Sequence, residues 1–499
     1  MYLKEGFIYF RIILFPKLLK SMATLSENSI EPEVFLSTFL LQKKTANSWR
    51  ISTASDRISR LKSIREWIKE HQKDIQEVLL ADFQKPPIET DLSEIYTVTS
   101  EINHAIKNLK TWMKPKSVST PLPLLGTSGK IYYEPKGCAL IIAPWNYPFN
   151  LAIGPLVSAL AAGCTAIIKP SELTPNTSSL IEKMISELFD PSEVAVFQGE
   201  SEVAQELLKL PFDHIFFTGS PAVGKIIMKA AAENLTSVTL ELGGKSPVII
   251  DQDANLKDAA EKLVFGKFIN CGQTCVAPDY LLVHEESKEK LLMELKVALK
   301  NMYDPKFKGI DKSPDLARII NDRHFERLVS SLKEGIQKGA IIEFGGKYDA
   351  PSRYIEPTLV SSLSDDMVLM EEEIFGPILP IKTFSKLDEA ISYINGKPKP
   401  LALYYFGSNT TNSARVIQET SSGNAMINDC VIHFLDLEMP FGGVNNSGIG
   451  KAHGHYGFLA FSNEKGVLKQ RVGLNNATLL RPPYGAAAQK IVQSLIKWF

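Results

Sequence analysis

From residue 138 onward the chain repeats one pattern, a short apolar run rich in branched side chains followed by a helix-like segment. The runs are "CALIIA", "TAIIK", "VAVF", "HIFF" and "SVTLEL"; "SSLIEKMISELF" and "SEVAQELLKL" lie between them. Strands this short and apolar have no polar face to offer water, so both faces must be covered. Intervening helices supply the cover as crossovers of a parallel sheet. The expected fold class is therefore α/β, with a dinucleotide-binding type of domain as the natural candidate. A second α/β pattern runs from about 245 to 440, without internal repeats or low-complexity segments. A chain of 499 residues can hold two or three such cores.

Upstream of the strands, Ile58, Leu61, Ile64, Ile68, Ile75 and Leu79 recur at helical spacing and predict a helix over 55–83. The proline-rich stretch "TWMKPKSVSTPLPLLG" then marks a boundary or an extended excursion across another domain. At the start, "MYLKEGFIYFRIILFPKLLKSM" is apolar but broken by charges and by Pro16. It lacks an uninterrupted span long enough for a membrane helix and a clean cleavage site, so a loosely docked arm is expected, with Met22 as an alternative start. At the other end, Val492, Leu495, Ile496 and Phe499 share one helical face. That face suits packing, a cover over a pocket, or weak membrane contact.

Acidic and basic residues nearly cancel, giving a formal net charge of -1. Nothing in that balance asks for nucleic acid or an anionic membrane, and a small neutral or weakly charged substrate fits better. Five cysteines are too few and scattered for a disulfide scaffold and suggest a reducing, cytoplasmic setting.

Three segments carry possible chemistry. In "FFTGSPAVG", a strand leads into Gly219, Ser220 and Gly224, where small residues and a helix start could admit a phosphate. A tight strand-to-helix turn explains the same residues, and neither the G-x-G-x-x-G fingerprint nor a Walker loop is present. In "ELGGKSP", Glu241 stands at a strand end before two glycines, either facing a cleft or capping a turn. In "FINCGQTCVAPDY", Cys271 and Cys275 have three residues between them. No second ligand pair accompanies them, so no metal site is expected. The spacing is also one residue too long for a dithiol redox motif. Cys271 suits a buried, inert role. Cys275, beside Gly272, Gln273 and Thr274, suits an accessible turn, where a thiolate attacks carbonyl carbon well.

Seven motifs occur in one order: "PWNYPFN" (144–150), "KPSE" (169–172), "FTGS" (217–220), "ELGGKSP" (241–247), "GQTC" (272–275), "EEIFGP" (372–377) and "PFGGVNNSGIG" (440–450). Together, over about residues 35–480, they resemble the NAD(P)-dependent aldehyde dehydrogenase superfamily. The short N-terminal part and "LRPPY" (480–484) look most like its class 3 and fatty-aldehyde branch. The resemblance implies Cys275 as nucleophile, Asn146 as side-chain donor of an oxyanion hole, and Glu241 as general base for thioester hydrolysis. It implies a cofactor site built from Trp145, Lys169, Glu172, Gly219, Ser220, Gly224, Glu373 and Phe375. NAD is the expected cofactor, because Glu172 would repel a 2′-phosphate. Lys169 pulls the other way and keeps NADP possible.

The implied architecture is an aldehyde dehydrogenase-like fold. It comprises an N-terminal extension (1–34), a Rossmann-like cofactor domain (35–110 and 135–240), an α/β catalytic domain (241–438), a small bridging and oligomerisation unit (111–134 and 439–480), and an amphipathic C-terminal segment (481–499). The implied activity is oxidation of aldehydes, medium- to long-chain aliphatic or aromatic, to carboxylic acids. Class 3 relatives point to a homodimer, with peripheral membrane contact through a terminus as an added option. The rivals are a semialdehyde or CoA-acylating dehydrogenase of the same superfamily and a non-catalytic structural protein on this fold. The presence of Cys275 and Glu241 speaks against the last.

Overall fold

The computed structural model describes residues 32–121, 124, 126–473, 478 and 481–498; the expectations for residues 1–22 and for Phe499 lie outside these. The chain opens with helices. The one expected over 55–83 is two, Ala54–Glu70 and Gln72–Phe83. They part at His71, whose backbone leaves the helical region (φ -108°, ψ 23°) while its ring stacks on Trp67 at 3.9 Å. Period alone could not show this break, because the apolar positions keep their spacing across it: Leu61, Ile64, Ile68, Ile75 and Leu79 are all buried.

After the helix Tyr96–Trp112 the proline-rich stretch carries β1 (Lys116–Val118) and leads to β2 (Ser128–Pro135). The five apolar runs then form β3 (Cys138–Ile142), β4 (Thr165–Lys169), β5 (Val194–Val196), β6 (His214–Gly219) and β7 (Ser237–Leu242). Further strands are β8 (Pro247–Ile250), β9 (Tyr280–His284), β10 (Ile341–Phe344), the small hairpin β11 (Tyr348–Asp349) and β12 (Tyr354–Ile355), and β13 (Thr358–Ser361). The last are β14 (Ile378–Phe384), β15 (Ala402–Phe406), β16 (Asn424–Ile427), β17 (Gly448–Ile449) and β18 (Ser462–Lys469).

They assemble into two large sheets and one small one. The first has the order β17-β7-β6-β3-β4-β5, parallel except for β17. The second has the order β10-β13-β14-β9-β8-β15-β16, parallel except for β10. The third is antiparallel, β1-β2-β18. Every residue of β3, β4, β8 and β15 is buried, as strands covered on both faces require.

In the first sheet, β3 leads to β4 and β5 on one side, then the chain returns to place β6 on the other. The order therefore reverses between β3 and β6, and a crevice opens outside their carboxyl ends. The helix Ala486–Trp498 forms at the C-terminus, but the face expected to pack is largely open: Val492 is 43% and Ile496 77% exposed. No helix among the described residues is long and apolar enough to cross a membrane.

Candidate active site

A cavity of about 570 Å³ fills the crevice and continues to the second sheet. Its lining follows the strand ends. Pro144, Trp145 and Asn146 come just after β3, Thr218 to Ala222 from the end of β6 onward, and Glu241 to Lys245 from the end of β7. The second sheet contributes from its amino ends: Cys275 ahead of β9, Glu371–Phe375 ahead of β14, and Lys397 and Pro398 ahead of β15. Cys275, Glu241 and Asn146, far apart in sequence, thus line one space.

Cys275 stands on a turn with unusual backbone. Asn270, Cys271 and Gly272 have φ of 52°, 55° and 77°, three successive left-handed residues. Such geometry costs about 1–2 kcal/mol for each residue that carries a side chain, so the surroundings must hold it. At Gly272 a Cβ would lie 2.3 Å from the Gly376 carbonyl oxygen, so glycine is required. Buried Gln273 braces the turn: its amide donates to the carbonyls of Asn270 and Arg318, both at 3.0 Å, and its Oε1 accepts from the Ile320 N–H at 3.0 Å. Cys271 is buried, as expected of an inert thiol, whereas Cys275 is only partly buried. Burial, with Glu241 and Glu373 nearby, pushes the Cys275 thiol up to about 12 against the pull of the Cys275 and Val276 N–H groups. The resting thiol is protonated and needs a base or a nearby positive charge.

Asn146 reaches the same turn, its Nδ2 donating to the Gln273 carbonyl oxygen at 3.0 Å. Asn270 Nδ2 closes the link, donating to the carbonyls of Asn146 (2.8 Å) and Gln273 (3.2 Å). Glu241 is carried near the end of β7, opposite Gly448 of β17. It is 5% exposed, and its Oε1 has no hydrogen-bond partner among the described residues. Burial pushes its carboxyl up to about 7, while His453 and Lys451 pull it down. A carboxyl titrating near neutrality with a free oxygen can exchange a proton with water.

The cofactor side also has its parts. Ser220 caps the helix Pro221–Glu233, accepting from the Val223 N–H, so a helix N-terminus faces the cavity. Such an end suits a pyrophosphate. At Gly243 a Cβ would lie 2.2 Å from the Glu373 carboxylate, so a side chain there would push that carboxylate out of its present place. Burial and Asp279 push Glu373 up to about 8. Trp145 meets Phe375 edge-on at 5.3 Å and His324 at 5.0 Å, forming an aromatic wall. A dinucleotide fits this lining: a helix end for phosphates, a carboxyl for hydroxyls and flat rings beside a flat ring.

Three expected cofactor residues stand elsewhere. Gly224 does not line the cavity; a Cβ there would meet the Leu242 side chain at 2.8 Å, so this glycine lets the helix lie against β7. Lys169, the last residue of β4, and Glu172, three residues on, also lie outside the lining, one strand over from β3 on the same edge of the sheet. They are paired with each other, Lys169 Nζ to Glu172 Oε2 at 2.5 Å.

Sequence reasoning missed the parts that hold the Glu373 loop. Lys245 pairs with Asp279 and donates to the carbonyls of Leu369 (2.9 Å) and Glu372 (2.8 Å). Asp279 accepts from the Ile374 N–H at 2.9 Å, and Arg327 donates to the Ile374 carbonyl at 2.7 Å. His324, pushed down to about 4 by burial and two arginines, is a neutral ring in the wall. Lys245 lies inside a quoted motif, so its position was visible although its task was not. His324 and Arg327 belong to no motif and gave no signal.

Known proteins agree with this geometry. Residues 41–467 match the aldehyde dehydrogenase family. The chain is 48% identical to the putative aldehyde dehydrogenase AldX of Bacillus subtilis, over 87% of this chain and 97% of that one. It is 42% identical to aldehyde dehydrogenase family 3 member A2 of Pongo abelii, over 89% and 88% of the two chains. The fold superposes on the substrate-bound state of Staphylococcus aureus AldH with a TM-score of 0.88 and 46% identity, covering 92% of this chain and 99% of that one. A non-catalytic role has no support in a cavity with its thiol, carboxyl and amide in place. The chain belongs to the aldehyde dehydrogenase family and is an NAD(P)-dependent oxidoreductase.

Proposed function

We propose that the chain oxidises medium- to long-chain aliphatic or aromatic aldehydes to carboxylic acids, with Cys275 as nucleophile. The observation that carries this reading is the convergence of Cys275, Asn146 and Glu241 on one cavity that also receives a capped helix N-terminus. Cys275 loses its proton to Glu241, which passes it on to solvent, and its sulfur bonds to the aldehyde carbon, moving the carbonyl electron pair onto oxygen. Asn146 Nδ2 and the Cys275 N–H stabilise that oxyanion. NAD held by Trp145, Gly219, Ser220, Glu373 and Phe375 would supply the hydride acceptor for this carbon and a positive charge that favours the thiolate. Glu241 then takes a proton from water, which attacks the resulting thioester; the carbon–sulfur bond breaks and the acid leaves. A base in place for water favours hydrolysis over transfer to coenzyme A.

Gly219, Ser220, Trp145, Glu373 and Phe375 would hold the cofactor, with Lys169 and Glu172 at its adenosine end. The Glu172 carboxylate, partnered by Lys169, favours NAD over NADP. Likeness to the family 3 member supports the class 3 branch. A homodimer would use a sheet edge, with β16 and β18 among the edge strands that could pair with a second copy. Free cysteines throughout suit a cytoplasmic setting. The test is direct: mix the purified protein with NAD or NADP and hexanal, decanal or benzaldehyde, and follow absorbance of the reduced cofactor. Absence of reduction across an aldehyde panel with both cofactors would overturn the reading.

A further inference from the structure

The turn carrying Cys275 is gripped from below by a carboxylate that the roles above leave unused. Glu89 sits in the short helix Pro87–Thr90, and its Oε1 accepts the Asn270 N–H at 2.7 Å. Asn270 is the first of the three left-handed residues, and the preceding helix ends at Phe268, so that N–H has no helical carbonyl to meet. The same Asn270 uses its side chain to hold the carbonyls of Asn146 and Gln273. A line of contacts therefore runs from Glu89 through Asn270 to Asn146 and the turn of Cys275.

A second carboxylate works in parallel. Fully buried Glu94 accepts from the Asn150 N–H at 2.7 Å, at the end of the segment that carries Asn146. Lys85, also fully buried, pairs with Glu94 at 2.8 Å and lies 4.0 Å over the Tyr147 ring. The Tyr147 hydroxyl and the Thr274 hydroxyl are 2.6 Å apart, next to Cys275. One short stretch, residues 85–94, thus grips both the segment with the nucleophile and the segment with the oxyanion donor.

We propose that Glu89 is a positioning residue of the reaction: by accepting the Asn270 N–H it fixes the left-handed turn that sets Cys275 against Asn146. This rests on the roles proposed above for those two residues. The groups facing Glu89 agree with a held acceptor. Lys85 and the Asn270 N–H draw it toward the charged form, while burial, Glu94 and Asp315 oppose them and bring it to about 7. Tyr147, Tyr303 and Cys271 also face it, each uncharged near neutral pH because burial raises it. Glu89 touches no reacting atom, so its effect passes through geometry, where an ångström of misplacement costs up to about a hundredfold in rate.

The test compares Glu89→Ala, Glu89→Asp and Glu89→Gln in the full-length protein. Three quantities are read: kcat and KM for aldehyde oxidation, the rate of Cys275 alkylation by iodoacetamide followed by intact mass, and the melting temperature. Removing the acceptor, or drawing it back by one methylene, should lower kcat about ten- to a hundredfold with KM for NAD unchanged. The alkylation rate should shift with kcat, and Glu89→Gln, which keeps an oxygen in place, should restore both. If Glu89→Ala does not fold, the Asp and Gln variants carry the comparison. The proposal fails if kcat and alkylation stay within twofold of the parent. It also fails if every variant, Gln included, loses activity in step with melting temperature, because Glu89 would then be only a structural support. A parent protein that oxidises no aldehyde defeats the proposed function instead, and the alkylation rates still decide whether Glu89 sets the turn.

Discussion

The side-chain amide of Asn146 donates to the carbonyl oxygen of Gln273, 3.0 Å away, tying the segment after β3 to the turn of Cys275. The amide is therefore held beside the turn of Cys275, as the proposed role of oxyanion donor requires. Asn146→Ala should lower kcat about 10²–10³-fold, the size expected for one lost oxyanion donor. Steady-state formation of reduced cofactor measures it. Retention of more than half the parent rate would remove Asn146 from the oxyanion hole.

Two thiols on one turn should behave differently. Cys275→Ala should abolish turnover while cofactor binding, read by fluorescence titration, stays intact. Cys271→Ala should keep most activity, since that thiol is buried and raised to about 12 with no chemical task. Reversed behaviour would show that the nucleophile is misnamed.

Glu241→Gln keeps the shape of the side chain and removes the base. A burst of reduced cofactor near one per active site should precede slow turnover, and mass after quenching should show an acyl adduct. The parent turnover should rise with pH along a limb near 7, where this carboxyl ionises, and the variant should lose that limb. Stability runs the other way. The folded carboxyl titrates near 7 against 4.5 for the free group. Its stabilising share is complete below pH 4.5 and is lost as pH rises through 7, on the order of 3 kcal/mol at most. Melting temperatures measured from pH 5 to 8 should fall less steeply in the variant than in the parent.

The Lys85–Glu94 pair offers a test of packing around the site. Both side chains are fully buried, so Lys85→Met leaves the Glu94 charge without a partner. Loss of one member of such a pair costs about 3–5 kcal/mol. Urea unfolding followed by tryptophan fluorescence should show a midpoint well below that of the parent. An unchanged midpoint would mean that Glu94 takes up a proton at little cost.

Much of this site can be read along the chain because its parts sit in short ordered segments. Cys275 announces itself by its polar glycine turn, and Glu241 by a strand end before two glycines. The apolar runs became strands because no other arrangement buries five such segments on both faces. What stayed hidden was contact across sequence distance. Glu89 and Asn270 are 181 positions apart, and no local pattern marks either as the partner of the other. The contact of His324 with Trp145 is equally silent, since a histidine on a helix has many uses. Gly224 is ambiguous for a different reason: a glycine after a strand serves phosphate approach and helix packing alike, and the structure adds only the neighbouring Leu242 side chain on the packing side.

The cavity draws on the carboxyl ends of one sheet and the amino ends of another, with Asn146 on the first side and Cys275 on the second. The two halves of the reactive centre therefore ride on separate sheets, joined at this seam by the amides of Asn146 and Asn270. A shift of one sheet against the other would change the gap between sulfur and donor, so the core that packs the two sheets together also sets the reactive geometry. A substitution far from the cavity that loosens this packing would slow the reaction while leaving every lining side chain in place.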